Sequence, residues 1–338
     1  MKKNRITILI VLSLLAIAIY LYITESGNTQ KKELVDFAVE DTSIVTKIFI
    51  VDKQNRSALL EKKEEGWVVN QKYTVRKDLI DLLIKTISQV KVKSPVSKNA
   101  HNTVIKKLAA DAKKIEIYSS NKLLKTYYVG DPTADNNGTY MLMENSSKAF
   151  ITHIPGFAGY LSSRYTTSES EWRDRVVFNY SFKDIRSIKV EHLDFPERSF
   201  TAISNGDNTY ALKNNQDKIV SDFDTLELKT YIAQFKKINF ESFVTVISKE
   251  KKDSILKSKA LFIITATNKN GISKSIKAYK RLNYDQLLDD NGKVYTYDID
   301  RMYALISDEK EIVIIQYFVF DPLSINIDFF YKKIASKK

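Results

Sequence analysis

Two stretches of the chain repeat the same order of strand-like patterns, and this duplication limits the folds open to it. Residues 45–52, "VTKIFIVD", combine alternating and β-branched residues in a pattern typical of a strand. Residues 185–192, "IRSIKVEH", repeat that pattern at an offset of 140. The segment "DNNGTYML" in the first stretch is similar to "DDNGKVYTY" in the second, and each contains an Asn-Gly pair that favours a tight hairpin. We therefore expect two copies of one β-rich unit.

Each copy also contains a predicted helix. The first runs from Val75 to Gln89, with Thr74 as its expected N-cap and Asp78 in its first turn, where a negative charge favours the helix dipole. "DTLELKTYIAQFKKI" repeats this helix in the second copy. The apolar stripes lie at helical spacing and comprise Ile80, Leu83, Ile84, Ile87 and Val90 in the first helix, and Leu228, Tyr231, Ile232 and Phe235 in the second. We also align "RVVFNYSFKDI" with "QYFVFDPLSINI", which places Phe178 over Phe320.

The predicted fold class is α+β: two tandem repeats of a mostly antiparallel β-sheet with a packed helix, preceded by one N-terminal transmembrane helix. The expected boundaries are a cytoplasmic tip and membrane anchor at 1–24, a spacer at 25–40, a first repeat at 41–167, a linker at 168–183, a second repeat at 184–328 and a basic tail at 329–338.

The predicted anchor is the uncharged run from Ile6 to Ile23, whose eighteen residues would span about 27 Å as a helix, close to the hydrocarbon thickness of a bilayer. Basic residues precede the run and Glu25 follows it, so the N-terminus is expected in the cytoplasm and the rest outside. The run is longer than a usual signal-peptide core and no Ala-x-Ala site follows. This favours a single-pass protein of the inner (cytoplasmic) membrane over a cleaved signal peptide or a buried core helix.

Composition argues against several classes of function. There are no cysteines, which excludes disulfides, thiolate metal sites and thiol catalysis. The net charge is +12, but only ten of the 53 basic residues are arginines and the lysines are spread along the chain, so a solvated surface is favoured over nucleic-acid binding. Nine glycines, with no Gly-x-Ser-x-Gly and no phosphate-binding loop, argue against a hydrolase or an ATPase.

Metal-binding patterns are weak as well. His101, His153 and His192 are far apart and have no carboxylate at ligand spacing, so we expect structural histidines. "DPTADNNG" and "DDNG" are acidic loops without the ligand pattern of a calcium site, and turn formation explains them. We predict no catalytic, cofactor-binding or metal-binding residues and no cofactor.

The order of these elements resembles a known family. A "GWVVN" strand, a helix, and then "YYVGDPTADNNGTYMLM" and "WRDRVVFNYSFKDIRSIKV" are similar to the bacterial family of domain of unknown function 4340, over residues 40–325. The resemblance implies an envelope protein associated with ABC exporters of the gliding-motility type. It implies no catalytic residues.

The segment "GFAGYLSSRYTTSESEWRDR" is the most distinctive in composition. Because Trp, Tyr and Arg dominate interface hot spots, Arg164, Trp172, Arg173 and Arg175 are candidate partner contacts. The alternative is a linker pinned by Trp172 and an ion-pair cluster around Asp174. We therefore expect a non-enzymatic, membrane-anchored accessory or scaffold subunit of an envelope complex, or alternatively a binding module for an exported peptide, glycan or lipid.

Overall fold

The computed structural model describes residues 12–17, 19–20, 35–307 and 311–331. These residues form two compact units, which divide between Asp174 and Arg175, inside the predicted linker 168–183. Most of the predicted anchor, including Ile6 and Ile23, lies outside the described residues, although residues 12–17 and 19–20 are helical. Among the residues described, no helix is long and apolar enough to cross a membrane.

The first unit is built on a nine-stranded sheet in the order β4-β3-β2-β1-β6-β7-β8-β9-β5, with all neighbours antiparallel. Its strands are β1 (Lys47–Val51), β2 (Ser57–Lys63), β3 (Gly66–Val69), β4 (Tyr73–Thr74), β5 (Lys91–Pro95), β6 (Lys113–Ser119), β7 (Lys122–Pro132), β8 (Thr139–Met143) and β9 (Ala149–His153). Its α-helices are α1 (Lys77–Gln89), α2 (Lys98–Asp111) and α3 (Glu169–Trp172), and 3₁₀ turns lie at Thr42–Ile44 and Ser162–Arg164.

The second unit has a sheet of the same order, β14-β13-β12-β11-β17-β18-β19-β20-β16, which is also antiparallel throughout. Its strands are β11 (Ile185–His192), β12 (Phe200–Ser204), β13 (Tyr210–Asn214), β14 (Ile219–Val220), β16 (Ser242–Phe243), β17 (Phe262–Asn268), β18 (Ser273–Leu282), β19 (Tyr297–Ile306) and β20 (Val313–Gln316), with a separate pair β10 (Val176–Phe178) and β15 (Ile238–Asn239). Its α-helices are α4 (Thr225–Ala233), α5 (Lys249–Lys257) and α6 (Tyr317–Phe320), and 3₁₀ turns lie at Phe182–Asp184, Pro196–Arg198 and Ile327–Phe330.

Two helices cover each sheet, where the sequence predicts one long packed helix. In the first unit, α1 packs on the face that carries Tyr127 and Phe150, while α2 packs on the opposite face with Tyr128 and Ile151. The alternation follows from the period of two along a strand, which sends neighbouring side chains to opposite faces. In the second unit, α4 and α5 divide between two faces in the same way. Each unit is therefore a three-layer arrangement with its own apolar core.

The helix α1 begins two residues later than predicted. Thr74 is not its N-cap, because this residue belongs to β4 and pairs with Val68. The N-cap is Arg76, whose side chain makes no capping hydrogen bond but forms an ion pair with Asp78 at 2.6 Å. The predicted stripe is otherwise correct: Ile80, Leu83, Ile87 and Val90 are buried and Ile84 is partly buried.

One part of the predicted repeat alignment is wrong. Phe178 lies in β10, before the first strand of the second sheet, whereas Phe320 lies in α6, after the last strand. Both belong to the second unit, so they cannot be equivalent positions of two copies. The structural counterpart of Phe320 lies instead in the segment that follows β9.

Matching backbone contacts establish that equivalence. The Arg76 amide donates to the Trp172 carbonyl at 2.7 Å, and the Asp224 amide donates to the Phe330 carbonyl at the same distance. Isolated bridges next to them join Val75 to Arg173 and Phe223 to Tyr331. In both units, therefore, the segment after the sheet returns to the start of the helix and buries a large aromatic ring there, Trp172 in the first unit and Phe330 in the second.

Candidate functional site

Residues 157–174, which we call the strap, follow β9 and close the first unit. Three of its side chains, Leu161, Tyr165 and Trp172, are fully buried in the core. The Tyr165 hydroxyl lies 3.2 Å from the Tyr127 hydroxyl, and the Trp172 indole Nε1–H donates to the Thr166 carbonyl at 2.9 Å. The strap is therefore held by the core beneath it, and this fixes the positions of its exposed residues.

Polar side chains attach the strap from several directions. Lys113 Nζ donates to the Ser162 carbonyl at 3.2 Å, and Thr167 Oγ1 donates to Asp52 Oδ2 at 3.1 Å. Burial pushes the pKa of Asp52 upward, but hydrogen bonds from Arg56, Thr167 and the backbone outweigh it and leave the pKa below its ordinary value. For Lys113, burial lowers the pKa of the amino group, and the negative charge of Asp52 partly opposes this shift. This network orders the middle of the strap.

A groove of about 480 Å³ lies between α1 and the strap. Its lining residues are Leu79, Leu82, Phe157, Tyr160, Ser163, Arg164, Thr166, Glu171 and Trp172. Leu82, Phe157 and Tyr160 are 37%, 39% and 38% exposed, so apolar surface remains open to water here. A single exposed apolar residue is ordinary, but several that converge on one concave surface are typical of binding sites.

Glycine allows the groove wall to form. Gly159 has a φ of +144°, a conformation that residues with side chains rarely adopt. A Cβ at this position would also lie 2.9 Å from the ring of Phe157. The ring can therefore fold back over the turn only because residue 159 has no side chain.

Arg164 is the cation of the groove. Its Nη1 donates to Thr86 Oγ1 at 2.8 Å, and the Thr86 hydroxyl donates in turn to the Leu82 carbonyl. Its guanidinium carbon lies 4.4 Å from the centroid of the Phe157 ring, within the range of a cation–π contact. Burial lowers the pKa of Arg164, with an opposing contribution from Tyr165. The charge is thus partly desolvated and held at two points.

The other predicted partner contacts are placed differently. Trp172 and Arg173 are buried, with 1% and 4% exposure, so they cannot form an exposed contact surface. Trp172 contributes to the groove only from below, and the Arg173 guanidinium lies 3.9 Å from the centroid of the Tyr73 ring. Arg175 lies in the second unit, is half-buried and donates to the Glu241 carbonyl. Composition identified the segment, but only Arg164 of these four residues presents a half-exposed charge to the groove.

The second unit contains a smaller cavity of about 230 Å³ beside His192. His192 Nε2 lies 3.0 Å from the Ile325 carbonyl, and the His192 amide donates to Ser199 Oγ at 2.9 Å. Asn214 Oδ1 accepts from the amides of Gln216 and Lys218 within a turn. These polar groups are therefore engaged in hydrogen bonds within the fold.

The acidic loops also form turns. Asp135 Oδ1 accepts from the Asn137 amide at 3.1 Å, and Asp289 Oδ1 accepts from the amides of Asn291 and Lys293 at 2.9 and 2.8 Å. Within the described part of the chain, no group of three or more His, Asp or Glu residues could hold a metal ion.

A long connection distinguishes the second sheet from the first. Six residues, 133–138, join β7 to β8, whereas fourteen residues, 283–296, join the equivalent strands β18 and β19. At its base, Arg281 forms an ion pair with Asp298, which is 2% exposed. Several exposed apolar side chains lie in this connection or directly beside it: Leu282, Tyr284, Leu288, Val294, Tyr295, Tyr297 and Ile299.

Comparison with known families now places the chain. Residues 67–259 match the family described as domain of unknown function (DUF4340), which is more than half of the sequence. The chain belongs to the DUF4340 family. The matched region of this DUF4340 protein contains α1, the strap and hence every residue of the groove, but not the long connection 283–296. No curated protein and no solved structure matches the chain significantly.

Proposed function

We propose that this DUF4340 protein is a non-enzymatic, membrane-anchored, extracytoplasmic accessory subunit that binds a protein partner through the groove of its first unit. The groove between α1 and the strap carries this proposal, because it combines exposed apolar side chains with a positioned cation. Interfaces typically have such an apolar centre with a few fixed polar groups. The uncharged run Ile6–Ile23 supports the anchor, and the resemblance suggests an ABC-type exporter or gliding-motility complex as the partner.

A site-specific cross-linker tests the contact. A photo-reactive residue would replace Leu82 in the full-length protein, and cells would be irradiated before the membranes are solubilised. A cross-link to a membrane protein is expected at position 82. The matched control is Leu123, an apolar residue of the same unit that is 49% exposed but does not line the groove. Equal cross-linking at both positions, or none at position 82, would refute the proposal.

The alternative is a binding module for an exported peptide, glycan or lipid. The volume of the groove favours it, since about 480 Å³ lies within the range of about 300–1,000 Å³ found for ligand pockets. Native mass spectrometry of the full-length protein separates the two proposals. A small molecule that is retained by the protein and lost in Leu82→Asp, without any cross-linked protein, would favour the binding module.

A further inference from the structure

The charge of Arg164 is placed differently from those of four other arginines, each of which forms an ion pair with a carboxylate. Arg56 pairs with Asp52, Arg76 with Asp78, Arg281 with Asp298 and Arg301 with Glu241. Among the described residues, no carboxylate forms an ion pair with Arg164, although its guanidinium is partly buried and its pKa is lowered by burial. A partly desolvated cation without an anion is unfavourable, and an anion brought by a ligand would relieve this cost.

The guanidinium of Arg164 has several N–H groups that can donate hydrogen bonds to a ligand. A guanidinium has five N–H donors and one of them binds Thr86, so donors remain for the planar, two-point recognition that suits a carboxylate. The Thr86 bond and the Phe157 ring hold the group before any ligand arrives. Such preorganisation lowers the entropy cost of binding.

The other residues that line the groove indicate which chemical groups of a ligand would lie next to its anion. Leu79, Leu82 and Phe157 present apolar side chains, while Tyr160, Ser163 and Thr166 add hydroxyl groups, which can accept from an N–H donor. A peptide offers all the complementary groups: apolar side chains, a carboxylate and backbone N–H donors. A lipid phosphate would be favoured by a cluster of cations, whereas Arg164 is the single cation among the described residues that line this groove.

From these observations we infer that the groove receives a segment of the partner protein that presents an apolar side chain next to a carboxylate, which binds Arg164. The inference rests on the proposed function, because it names the chemistry of the partner at the same groove. It also assigns Arg164 as the residue that selects an acidic partner segment over a neutral one.

The test compares two short peptides on the full-length protein in nanodiscs of phosphatidylcholine. The probes are acetyl-Leu-Phe-Glu-Leu-amide and its Gln counterpart, acetyl-Leu-Phe-Gln-Leu-amide, and the signals are the methyl resonances of Leu79 and Leu82. The Glu peptide is expected to shift both leucines with a dissociation constant at least about tenfold lower than that of the Gln peptide, because hydrogen bonds between charged groups are about twice as strong as neutral ones.

Substitutions identify the cation responsible. Arg164→Met should remove the preference for Glu, while Thr86 keeps its bond to the Leu82 carbonyl and the fold is retained. Arg164→Lys should keep part of the preference, and Arg186→Met, at an exposed arginine of the second unit, should leave it unchanged. Thermal unfolding followed by far-ultraviolet circular dichroism, which reports on both units, would verify that each variant is folded.

Several results would overturn the inference. Equal affinity for the two peptides, no shift with either, or a preference that survives Arg164→Met would each exclude Arg164 as the anion-binding group. Arg164-dependent shifts caused by phosphatidylglycerol in the nanodisc, without peptide, would make a lipid phosphate the ligand instead. If the cross-link at position 82 persists in these cases, the proposed function stands and only the acidic chemistry of the partner is wrong.

Discussion

The buried tyrosine pair beneath the strap provides a quantitative test of how the first unit is held together. Tyr127 and Tyr165 are both fully buried, and their hydroxyl oxygens lie 3.2 Å apart. Their rings pack edge to face with centroids separated by 6.2 Å. Substitution of either tyrosine by phenylalanine keeps the ring but removes one hydroxyl. The remaining hydroxyl then stays buried without this hydrogen-bond partner.

The expected energies are strongly non-additive. A buried polar group left without its partner costs about 1–3 kcal/mol, so Tyr127→Phe and Tyr165→Phe should each lower the free energy of unfolding by about that amount. The double variant leaves neither hydroxyl behind and should lose no more than either single variant. The coupling energy of the cycle is therefore expected to be at least as large as the cost of one single substitution, about 1–3 kcal/mol.

The same pair predicts a dependence on alkaline pH. Burial raises the pKa of Tyr165 to about 12, with the Tyr127 hydroxyl and Arg164 opposing it, while tyrosine in an unfolded chain ionises near pH 10. The native state therefore keeps a proton that the unfolded state loses between about pH 10 and 12. The contribution is fully present below pH 10 and disappears as the pH rises through 12, a loss of about 3 kcal/mol for two pKa units. The double phenylalanine variant should lack this loss.

Tryptophan fluorescence makes the measurement specific. Trp67 and Trp172 are the protein's two tryptophans and both lie in the first unit, so their emission during urea denaturation follows that unit alone. The four proteins of the cycle would be compared at pH 7 and at steps up to pH 12. If the costs of the two single substitutions simply add in the double variant, the hydroxyls do not interact and the described attachment of the strap is incorrect.

Four further predictions address the cores, the groove, the long connection and the anchor. Trp172→Ala should destabilise the first unit by about 3–5 kcal/mol, measured by urea denaturation followed by the emission of the remaining tryptophan, because a fully buried indole is removed. Arg164→Glu should cost about 1–2 kcal/mol in the same assay, since the hydrogen bond and the cation–π contact are lost, and a cost below about 0.5 kcal/mol would mean that the side chain is free in solution. Asp298→Ala should leave Arg281 without its buried anion, cost about 3–5 kcal/mol and speed proteolysis within residues 283–296, whereas unchanged cleavage would contradict this role. A reporter fused after Lys338 should be active only outside the cytoplasm, and cytoplasmic activity would reverse the predicted orientation.

The succession of strands and helices along the chain can largely be predicted from the sequence, because each element depends on a local pattern. Most strands of the two sheets carry a period of two, and α1 and α4 each carry an apolar stripe. The missed elements lack such signals. The helix α5, "KEKKDSILK", buries only Ile255, and the edge strand β5, "KVKSP", has no buried residue. Their charged side chains face water, so periodicity gives no indication of them.

The groove illustrates what local patterns cannot supply. The strap stands out by composition, but the groove also needs Leu79 and Leu82, which approach the strap only through the tertiary fold. For the same reason, the sequence does not show that Trp172 and Arg173 are buried while Arg164 keeps a half-exposed guanidinium. The confusion of Phe178 with Phe320 has a related origin, because both lie in aromatic runs that flank the same sheet and pack into the same core.

The two units share a framework but differ at two places, the groove and the connection 283–296. The shared strand order and the paired contacts from Arg76 to Trp172 and from Asp224 to Phe330 maintain the fold in each copy. They would be needed whatever the protein binds. The groove with Arg164 and the long connection 283–296 are not required by that common framework, and both expose apolar side chains. The groove lies inside the region that matches the family, and the proposed partner contact uses the groove, not the connection. Exchange of residues 283–296 for the six-residue turn of the first unit should therefore leave the proposed cross-link at position 82 intact.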